Sequence, residues 1–518
     1  MFDTALPELA DLASSDTTLV AVSVSGWALV ENAVAARRLA AVAELVRRRT
    51  DVAVEHSRWA CDDWDAAAAE VAAALDISHG KASSQMYLGL ALRERLPKVA
   101  EVFAEGMLSV QVVTTIAWHT TLIQDRDALA NVDAEVAGDA LRYGQLSASK
   151  TAQAIDAIID QHDPGALRRT RSYARGREVV IDRNNNADAG TTPMWGRLYS
   201  HDAELLDRRL MAMAHEVCDD DPRTIAQRRA DALGALAAGA QQLSCKCENP
   251  QCPIADDAGR PSRAIIHVVA DQTAVDTTAD THHDGEVPPS RPITPGMTVE
   301  EALTPDPEPD PPAARGKPAL IMGGPMIPAA LLTELIDAGA TVRPIVFPGL
   351  NSPAEPQYRP SNRLDTFIRC RDLTCRFPGC TRPAEFCDID HAVAYAIGGP
   401  THPSNLRCLC RKHHLVKTFH GWQDQQHPDG RIDWISPSGQ RHTTYPGSRL
   451  LFPALCRSTG ALPPLPPPQS ESGCRTLMMP TRRRTRAQDR HRRITAERAL
   501  NADYAAQRIV ERNQPPPF

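Results

Sequence analysis

The chain has 518 residues, of which 42% are hydrophobic and only 5% are aromatic, and its formal net charge is −7. This composition favours a soluble, helix-rich protein of roughly two to four domains and argues against a β-sandwich. The negative charge excludes a polycation that binds nucleic acid over its whole surface. Any contact with nucleic acid therefore has to come from local basic patches.

The N-terminal segment lacks the pattern of a targeting signal. Met1–Thr17 is acidic and has no apolar core, and Leu19–Val30 is too short and too polar to cross a bilayer. We therefore expect a cytoplasmic protein without a membrane segment. Cytosolic cysteines stay mostly reduced, and six of the thirteen lie between Cys370 and Cys410. Such clustering indicates metal binding more than disulfides.

Residues 1–242 are predicted to form a helical domain of unknown function. Val30–Arg49 has apolar residues at helical spacing, and Asp63–Leu75 is predicted to be a second helix. The segment from Leu75 resembles a helix-turn-helix, but its second helix carries little positive charge. A helical bundle with short turns is therefore favoured over DNA binding. Serine N-caps are predicted to begin further helices at Ser78, Ser109 and Ser147 or Ser149.

Residues 243–357 are predicted to be a small α+β continuation, although strand-like patterns begin earlier in the chain. Residues 271–317 are rich in Pro, Asp, Glu and Thr, and this composition predicts a disordered acidic linker. The predicted strands are Glu178–Asp182 and Ala264–Ala270, the predicted helices are His201–Val217 and Pro222–Ala238, and Gly323–Phe347 offers a helix and a strand.

Residues 454–518 are predicted to form a Pro-rich and Arg-rich tail. Leu462–Gln469 interrupts regular structure with prolines, and the tail from Thr481 carries ten Arg against four acidic residues. Two interpretations stay open for it. The tail is either an arm that binds phosphates non-specifically or a terminal helix or disordered tail in solvent.

A thiolate-rich group of residues lies between these parts, in the predicted domain 358–453. Cys375 and Cys380 flank a predicted knuckle turn, and Cys410 and His413 share one face of a short helix. Two such pairs can close a tetrahedral Cys3His zinc site, and a structural zinc contributes on the order of 10 kcal/mol to such small folds. The alternative is a set of buried reduced cysteines. The nearby spare cysteines are Cys370, Cys387 and Cys408, of which Cys408 could replace Cys410.

A second group in the same domain has oxygen and nitrogen donors. Neighbouring residues on a helix differ by about 100°, so His414 cannot face the site that His413 faces. Asp390 and His414 suit a divalent cation, Mg²⁺ or Mn²⁺, which binds phosphate. His391 suits a general base near pH 7, and Asn405 suits a brace that ties the loop to the strand.

These residues, at this spacing, resemble the HNH endonuclease domain, which has a ββα-metal fold. The wording of the chain at RDLTCRFPGC, CDIDHAVAYAIGGPT and NLRCLCRKHHLVKT is also similar to an actinobacterial multicopy repeat family that joins an uncharacterised helical domain to a C-terminal HNH domain. The resemblance implies that His391 is the general base, Asp390 and His414 are metal ligands, and Asn405 braces the loop. Family members often lack a cysteine at the position of Cys370, which therefore receives no role.

A third group of cysteines precedes the predicted strand at residue 264. Cys245, Cys247 and Cys252 are close enough in sequence to bind a second zinc ion with a distant fourth ligand. The alternative is a reduced surface loop. The candidates for the fourth ligand are Cys218, His215 and His283.

The sequence thus predicts an enzyme, a metal-dependent HNH endonuclease that cuts nucleic acid, with DNA favoured over RNA. The alternatives are a zinc-stabilised HNH fold that binds nucleic acid without cutting it, and a protein-interaction module. A homo-oligomer is compatible with either. The basic residues expected to form a local positive field around the site are Arg359, Arg363, Arg369, Arg371, Arg376, Arg382, Arg407, Arg411, Lys412 and Lys417.

Overall fold

The described part of the chain is mainly helical, with four small antiparallel sheets. The structure is a computed structural model, and it describes residues 7, 9–50, 54–143, 146–167, 178–182, 191–218, 221–247, 252, 266–277, 294, 296–300, 317–337, 339–462 and 478–514. Most of the predicted acidic linker, residues 278–293, 295 and 301–316, lies outside the described residues.

The first helices form a bundle in which serine side chains begin the helices as predicted. Ser78, Ser109 and Ser147 each accept a hydrogen bond from the backbone N–H three residues later, which satisfies one orphan donor of the helix. The predictions of these caps are confirmed. The helices are α1 (Leu9–Leu12), α2 (Thr17–Thr50), α3 (Asp63–Leu75), α4 (His79–Glu94), α5 (Pro97–Ala104), α6 (Val110–His119), α7 (Arg126–Gly138), α8 (Ala140–Tyr143) and α9 (Ala148–His162).

Helix α2 is longer than the sequence pattern suggested. By length and composition alone it could cross a membrane, since one 18-residue window has a mean hydropathy of 1.5 and is only 17% buried. The sequence predicts that Leu19–Val30 is too short and too polar to cross a bilayer, whereas the whole helix has 34 residues. Core helices of soluble proteins pass the same test. One face of the second half of α2, which includes Ala33, Leu39 and Val46, is buried in the bundle.

The middle part contains two helices that pack on each other, a two-stranded sheet and a three-stranded sheet. The three-stranded sheet has the order β3-β4-β5. The helix that follows its last strand packs against it through Ala329 and Leu332. The elements are β1 (Glu178–Ile181), β2 (Met194–Arg197), α10 (Ser200–Glu216), α11 (Ile225–Ala238), β3 (Val268–Val269), α12 (Gln272–Val275), β4 (Ala319–Ile321), β5 (Met326–Ile327) and α13 (Ala329–Asp337).

The C-terminal part contains an antiparallel strand pair that leads directly into a helix, followed by a three-stranded sheet. The pair is β6-β7, and the sheet has the order β10-β9-β8. The elements are α14 (Asn362–Asp372), β6 (Cys387–His391), β7 (Leu406–Cys410), α15 (Arg411–Phe419), β8 (Gln423–Gln426), β9 (Ile432–Ile435), β10 (Arg441–Thr444), α16 (Arg486–Ala499) and α17 (Ala502–Asn513).

The hydrophobic core of the C-terminal part extends across the predicted boundary at residue 358. Cys61 and Ala69 from the N-terminal domain and Met322 from the middle part belong to the same cluster as Phe367 and Trp434. The boundaries at 242, 357 and 453 stay predictions. A fragment that begins at residue 358 would nevertheless lack part of the core it packs against here.

The described tail, residues 478–514, packs on the N-terminal domain and is helical from Arg486. Its first residues run beside the chain at Trp59, where Thr481 forms an antiparallel bridge. Helix α16 carries Arg486, which pairs with the carboxylates of α3 and the residue before it, and Arg498, which pairs with Asp163. For these residues the structure supports the terminal helix and not the disordered tail.

The turn between α3 and α4 is covered by the predicted knuckle of the C-terminal part. Gly379 has a φ of +69°, and a Cβ atom at this position would collide with the backbone carbonyl of Ile77. The turn of the predicted helix-turn-helix is thus occupied by the chain itself, as expected for a turn in a packed bundle.

We predict that Gly379→Ala destabilises the protein much more than Gly439→Ala does. Both glycines have positive φ, which costs an alanine about 1–2 kcal/mol. Gly439 lies in the β9–β10 turn, where an added Cβ atom would have no neighbour within 4 Å, so it is the matched control. The collision at Gly379 adds about 1–3 kcal/mol of overpacking.

Calorimetric melting of the two full-length variants measures this difference. The melting temperature should fall further for Gly379→Ala than for Gly439→Ala. Equal shifts would mean that the knuckle does not pack against the α3–α4 turn in solution.

Candidate metal centre and adjacent polar site

The centre is built on the β6–β7 pair and the helix that follows it. Cys387 pairs with Cys410 and His391 with Leu406, so the two strands are in register over all five residues. Helix α15 begins immediately after Cys410. Because the strand runs into the helix without a loop, the positions of the first helical side chains are fixed relative to the strands.

Cys375, Cys380, Cys410 and His413 bring one donor atom each within 4.8 Å of one another. His413 Nδ1 lies 3.4 Å from Cys410 Sγ and 3.6 Å from Cys375 Sγ. Hydrogen bonds from the Cys375 and Cys380 thiols hold the pKa of Cys410 far below its usual value. Three thiols and one imidazole are a donor set that zinc prefers, so this cluster could hold a metal ion such as zinc.

The spare cysteines of the sequence do not belong to this cluster. Cys370, Cys387 and Cys408 are all buried nearby, but the four donors that converge are the predicted ones. Cys408 belongs instead to the hydrophobic core, and its backbone N–H donates to Asp372. The sequence left open whether Cys410 or Cys408 completes the cluster, and in the structure it is Cys410.

The N-terminal domain contributes neighbours to this cluster that sequence reasoning missed. The ring of His79 meets the ring of His413 edge to face, with centroids 5.4 Å apart. Lys412 Nζ lies 2.9 Å from Asp65 Oδ1, and the backbone carbonyl of Lys412 is 4.0 Å from the thiol of Cys61. More than 300 residues separate these partners in sequence, so no local pattern predicts their contact.

His414 contacts a different set of donors from its neighbour His413. Its Nδ1 lies 3.0 Å from Asp388 Oδ2, and its Nε2 lies 3.3 Å from Asp390 Oδ1. Burial alone would lower the pKa of His414, but the two carboxylates outweigh burial and raise it. The consecutive histidines thus serve two separate sites, as the helical angle predicts.

Asp390 is buried among cationic groups. Its Oδ2 lies 3.1 Å from Arg407 Nε and 2.7 Å from Lys417 Nζ. Burial raises the pKa of a carboxyl, but Arg407, His414 and Lys417 together hold the pKa of Asp390 well below its usual range. Asp424 pairs with Arg407 as well, so two acidic and two basic side chains share this buried cluster.

His391 ends strand β6 and is held by a hydroxyl group. Its Nε2 lies 3.0 Å from Thr401 Oγ1, and that hydroxyl donates its proton to the carbonyl of Gln357 at 2.7 Å. A hydroxyl has one proton, so Nε2 of His391 must donate to Thr401. In the neutral ring the lone pair then lies on Nδ1. Tyr358 stacks on the imidazole with centroids 5.2 Å apart.

The pKa of His391 is lowered mainly by burial. The charge of Asp390 raises it and the charge of Lys417 lowers it, so these side chains share an electrostatic environment. Adjacent strand residues point to opposite faces, and the hydrogen-bond partners of His391 differ from those of Asp390. The lowered pKa keeps the imidazole neutral at neutral pH.

Asn405 is fully buried and ties the loop between β6 and β7 at both ends. Its Oδ1 accepts from Val393 N–H at 2.8 Å, and its Nδ2 donates to the carbonyls of Val393 and Pro400 at 3.0 and 2.9 Å. The same loop contains Thr401. Asn405 thereby fixes the backbone that carries the partner of His391.

The positive field around the site is smaller than predicted, because much of the basic charge is internal. Arg371, Arg376 and Arg407 are buried, and each forms an ion pair with a buried aspartate. Lys412 and Lys417 are also paired with carboxylates. Four arginines of the predicted group are exposed, namely Arg359, Arg363, Arg382 and Arg411.

A second cluster of sulfur donors lies in the middle part. The Sγ atoms of Cys218, Cys245, Cys247 and Cys252 are all within 4.8 Å of one another. Of the proposed fourth ligands, Cys218 joins the three clustered cysteines, His215 does not, and His283 lies outside the described residues. This cluster could also hold a metal ion such as zinc.

Comparison with known proteins identifies a family, whereas no solved structure matches the chain. "Uncharacterized protein Rv2100" of Mycobacterium tuberculosis (strain ATCC 25618 / H37Rv) is 55% identical over 523 residues, covering 100% of this chain and 93% of its own. "Uncharacterized protein Rv3776" of the same strain is 50% identical over 521 residues, covering 100% and 95%.

A shorter relative supports the same grouping. "Uncharacterized protein in est 3'region" of Mycobacterium tuberculosis is 48% identical over 370 residues, 71% of this chain and 100% of its own. Two relatives from one strain agree with a multicopy family. The family model for a domain of unknown function, DUF222, matches residues 27–302, which are more than half of the chain. The chain therefore belongs to the DUF222 family.

Proposed function

We propose that residues 358–453 are a metal-dependent endonuclease domain of the HNH type, which hydrolyses phosphodiester bonds in nucleic acid, with DNA favoured over RNA. One observation carries the proposal. The consecutive residues His413 and His414 serve two separate donor sets, one rich in sulfur and one formed by carboxylates. A structural zinc beside a hydrolytic site needs this division.

The sulfur-rich set supplies stability in this proposal. Cys375 and Cys380 come from the knuckle, and Cys410 and His413 come from the strand–helix junction. A zinc ion bound by all four would join the knuckle to α15. Such a site contributes on the order of 10 kcal/mol, which a small domain otherwise has to gain from its core.

Asp390 and His414 would hold the divalent ion. Asp390 Oδ1 and His414 Nε2 are 3.3 Å apart, so both donor atoms converge, and Asp388 accepts from the other ring nitrogen and fixes the orientation of the imidazole. One carboxylate and one imidazole leave coordination positions open for phosphate oxygen and water. When bound, Mg²⁺ or Mn²⁺ would polarise the phosphate and stabilise the leaving oxygen.

His391 is the general base in this proposal, and Nδ1 is the atom that takes the proton. The hydroxyl of Thr401 accepts a hydrogen bond from Nε2–H of His391, and this bond selects the tautomer whose proton is on Nε2. Asn405 acts through the loop that carries Thr401 and is a positioning residue. Tyr358, stacked on the imidazole, limits its rotation and reduces the access of bulk water to one face.

A fold that binds nucleic acid without cutting is the second candidate, and one observation favours it. Lys417 Nζ already lies 2.7 Å from Asp390, so a cation of the protein competes with a divalent ion for this carboxylate. Exposed arginines at the rim, including Arg359 and Arg363, would pair with phosphates in both cases. The two candidates differ only in whether a divalent ion supports cutting.

Replacement of the base should abolish cutting and preserve binding. We expect His391→Ala to lower the rate of plasmid nicking by roughly 10²–10⁴-fold, because the proposal assigns the proton of the attacking water to this imidazole. The affinity for a labelled duplex, measured by fluorescence anisotropy, should stay unchanged. His427→Ala is the matched control, since His427 pairs with Asp433 at the turn before β9.

The nicking assay uses the full chain with Mg²⁺ or Mn²⁺ and a chelator control. A His391→Ala variant that nicks as fast as His427→Ala would show that the base is assigned wrongly. Duplex binding without nicking by the wild-type chain, under every divalent ion, would favour the second candidate.

The tautomer assignment predicts a specific effect at Thr401. Thr401→Val removes the hydroxyl that accepts from His391 and should lower kcat about tenfold, the cost of one hydrogen bond, with KM unchanged. Thr401→Ser keeps the hydroxyl and should restore most of the rate. Equal loss in both variants would mean that the methyl packing of Thr401 matters and its hydroxyl does not.

The division between the two histidines predicts two different failures. Cys380→Ser should lose one zinc ion per chain and lower the melting temperature, because metal binding supplies folding free energy. His414→Ala should keep the zinc and the fold but weaken the dependence of nicking on Mg²⁺ or Mn²⁺. Zinc content by mass spectrometry and melting by calorimetry measure both. Equal zinc loss would contradict the assignment of His413 to the zinc.

A further inference from the structure

We propose that Cys218, Cys245, Cys247 and Cys252 form a second structural zinc site, a tetrathiolate that is independent of the nuclease proposal. The site lies in the part of the chain that the DUF222 model matches, far in sequence from the HNH-like residues. It uses four sulfur atoms, whereas the C-terminal cluster uses three and an imidazole. The two sites can therefore be distinguished by their ligands.

The spacing of the sulfur atoms fits a metal better than a disulfide. A tetrahedral zinc–thiolate site with Zn–S bonds of about 2.3 Å places its sulfurs about 3.8 Å apart. All four Sγ atoms lie within 4.8 Å of one another, and those of Cys218 and Cys245 are separated by 3.2 Å. A disulfide joins two sulfurs and gives no reason for two further cysteines to converge on it.

The backbone around the cluster is fixed by a buried ion pair. Asp221 accepts from the backbone N–H of Lys246, which lies between Cys245 and Cys247 in sequence, at 2.9 Å. Arg223 pairs with Asp221 at 2.7 Å and donates to the carbonyl of Ser244, also at 2.7 Å. The segment after Cys218 is thus joined to the Cys245–Cys247 segment without help from the sulfurs. The chain that follows Cys218 and the segment that carries Cys245 and Cys247 are therefore held near each other before any metal binds.

The electrostatics of the cluster favour a thiolate. Burial disfavours the thiolate of Cys245, but hydrogen bonds from Cys247 and Cys218 outweigh burial and lower its pKa. Zinc binds thiolates and not thiols, so a lowered pKa reduces the cost of releasing the proton.

The surrounding core is small, which gives the metal a role. Helices α10 and α11 pack on each other around five buried side chains, of which one is the ligand Cys245 itself. The pairing of Lys246 with Glu334 on α13 then connects this unit to the small sheet. A zinc ion would hold the end of α10 to the chain that follows α11 and so stabilise a unit with little hydrophobic burial.

The test is the number of zinc ions per chain in the full-length protein purified without chelators. We expect two in the wild type, one in Cys247→Ser, one in Cys380→Ser and none in the double variant. Cys456→Ser is the matched control, because Cys456 is half-buried, contacts Ser448 and belongs to neither cluster. Cys247→Ser with as much zinc as the control would overturn the proposal.

A second measurement decides the question if Cys247→Ser fails to fold. Cobalt substituted into the wild-type chain gives a thiolate-to-metal charge-transfer band whose intensity follows the number of thiolate ligands. Seven thiolates support the proposal, four from this cluster and three from the C-terminal one, whereas three overturn it. The nuclease proposal can fail with both zinc ions present, so the two failures are distinguishable.

Discussion

Two consecutive histidines cannot face the same point on a helix, and the C-terminal part is arranged around this constraint. His413 and His414 differ by about 100° around α15, so the helix has to lie between two sets of partners. The knuckle supplies sulfurs on one side, and strand β6 supplies Asp388 and Asp390 on the other. The strand pair can meet both demands because β7 runs into α15 without a loop, which leaves no freedom to rotate the helix.

The N-terminal domain contacts the helix that carries these two histidines. Asp65 on α3 pairs with Lys412, the residue before His413, and also with Arg486 of the tail. The carboxylate therefore joins its own helix to two segments that lie 347 and 421 residues further along the chain. Because it lies beside the sulfur cluster, the DUF222-matched domain supports the same helix that carries the metal donors. At the start of the basic tail, the charge of Arg486 is thus paired within the protein.

The sequence predicts features that depend on nearby residues and fails where burial or distant partners decide. Ser78, Ser109 and Ser147 cap their helices because the capped N–H lies three residues away. The sulfur cluster is predictable because each of its pairs is local. The sequence does not show whether an arginine is exposed or buried. It therefore predicted a basic surface from Arg371, Arg376 and Arg407, although these three side chains form ion pairs inside the core. The contacts of Asp65 and His79 with the C-terminal part were not predicted, because their partners are distant in sequence and come close only in the folded chain.

Lys417 connects the electrostatics of the buried cluster to the proposed chemistry. Burial, followed by the charge of Arg407, lowers the pKa of Lys417, although Asp390 opposes both. With Asp390 and Asp424 facing Arg407 and Lys417, the cluster is balanced without a metal, and a divalent ion at Asp390 would add two positive charges to it. A buried charge without a partner is costly, so binding of the ion requires Lys417 to leave Asp390 or to lose its proton. The flexible side chain of Lys417 would allow it to move away from Asp390. A phosphate bound to the same ion would then form an ion pair with the ammonium group of Lys417.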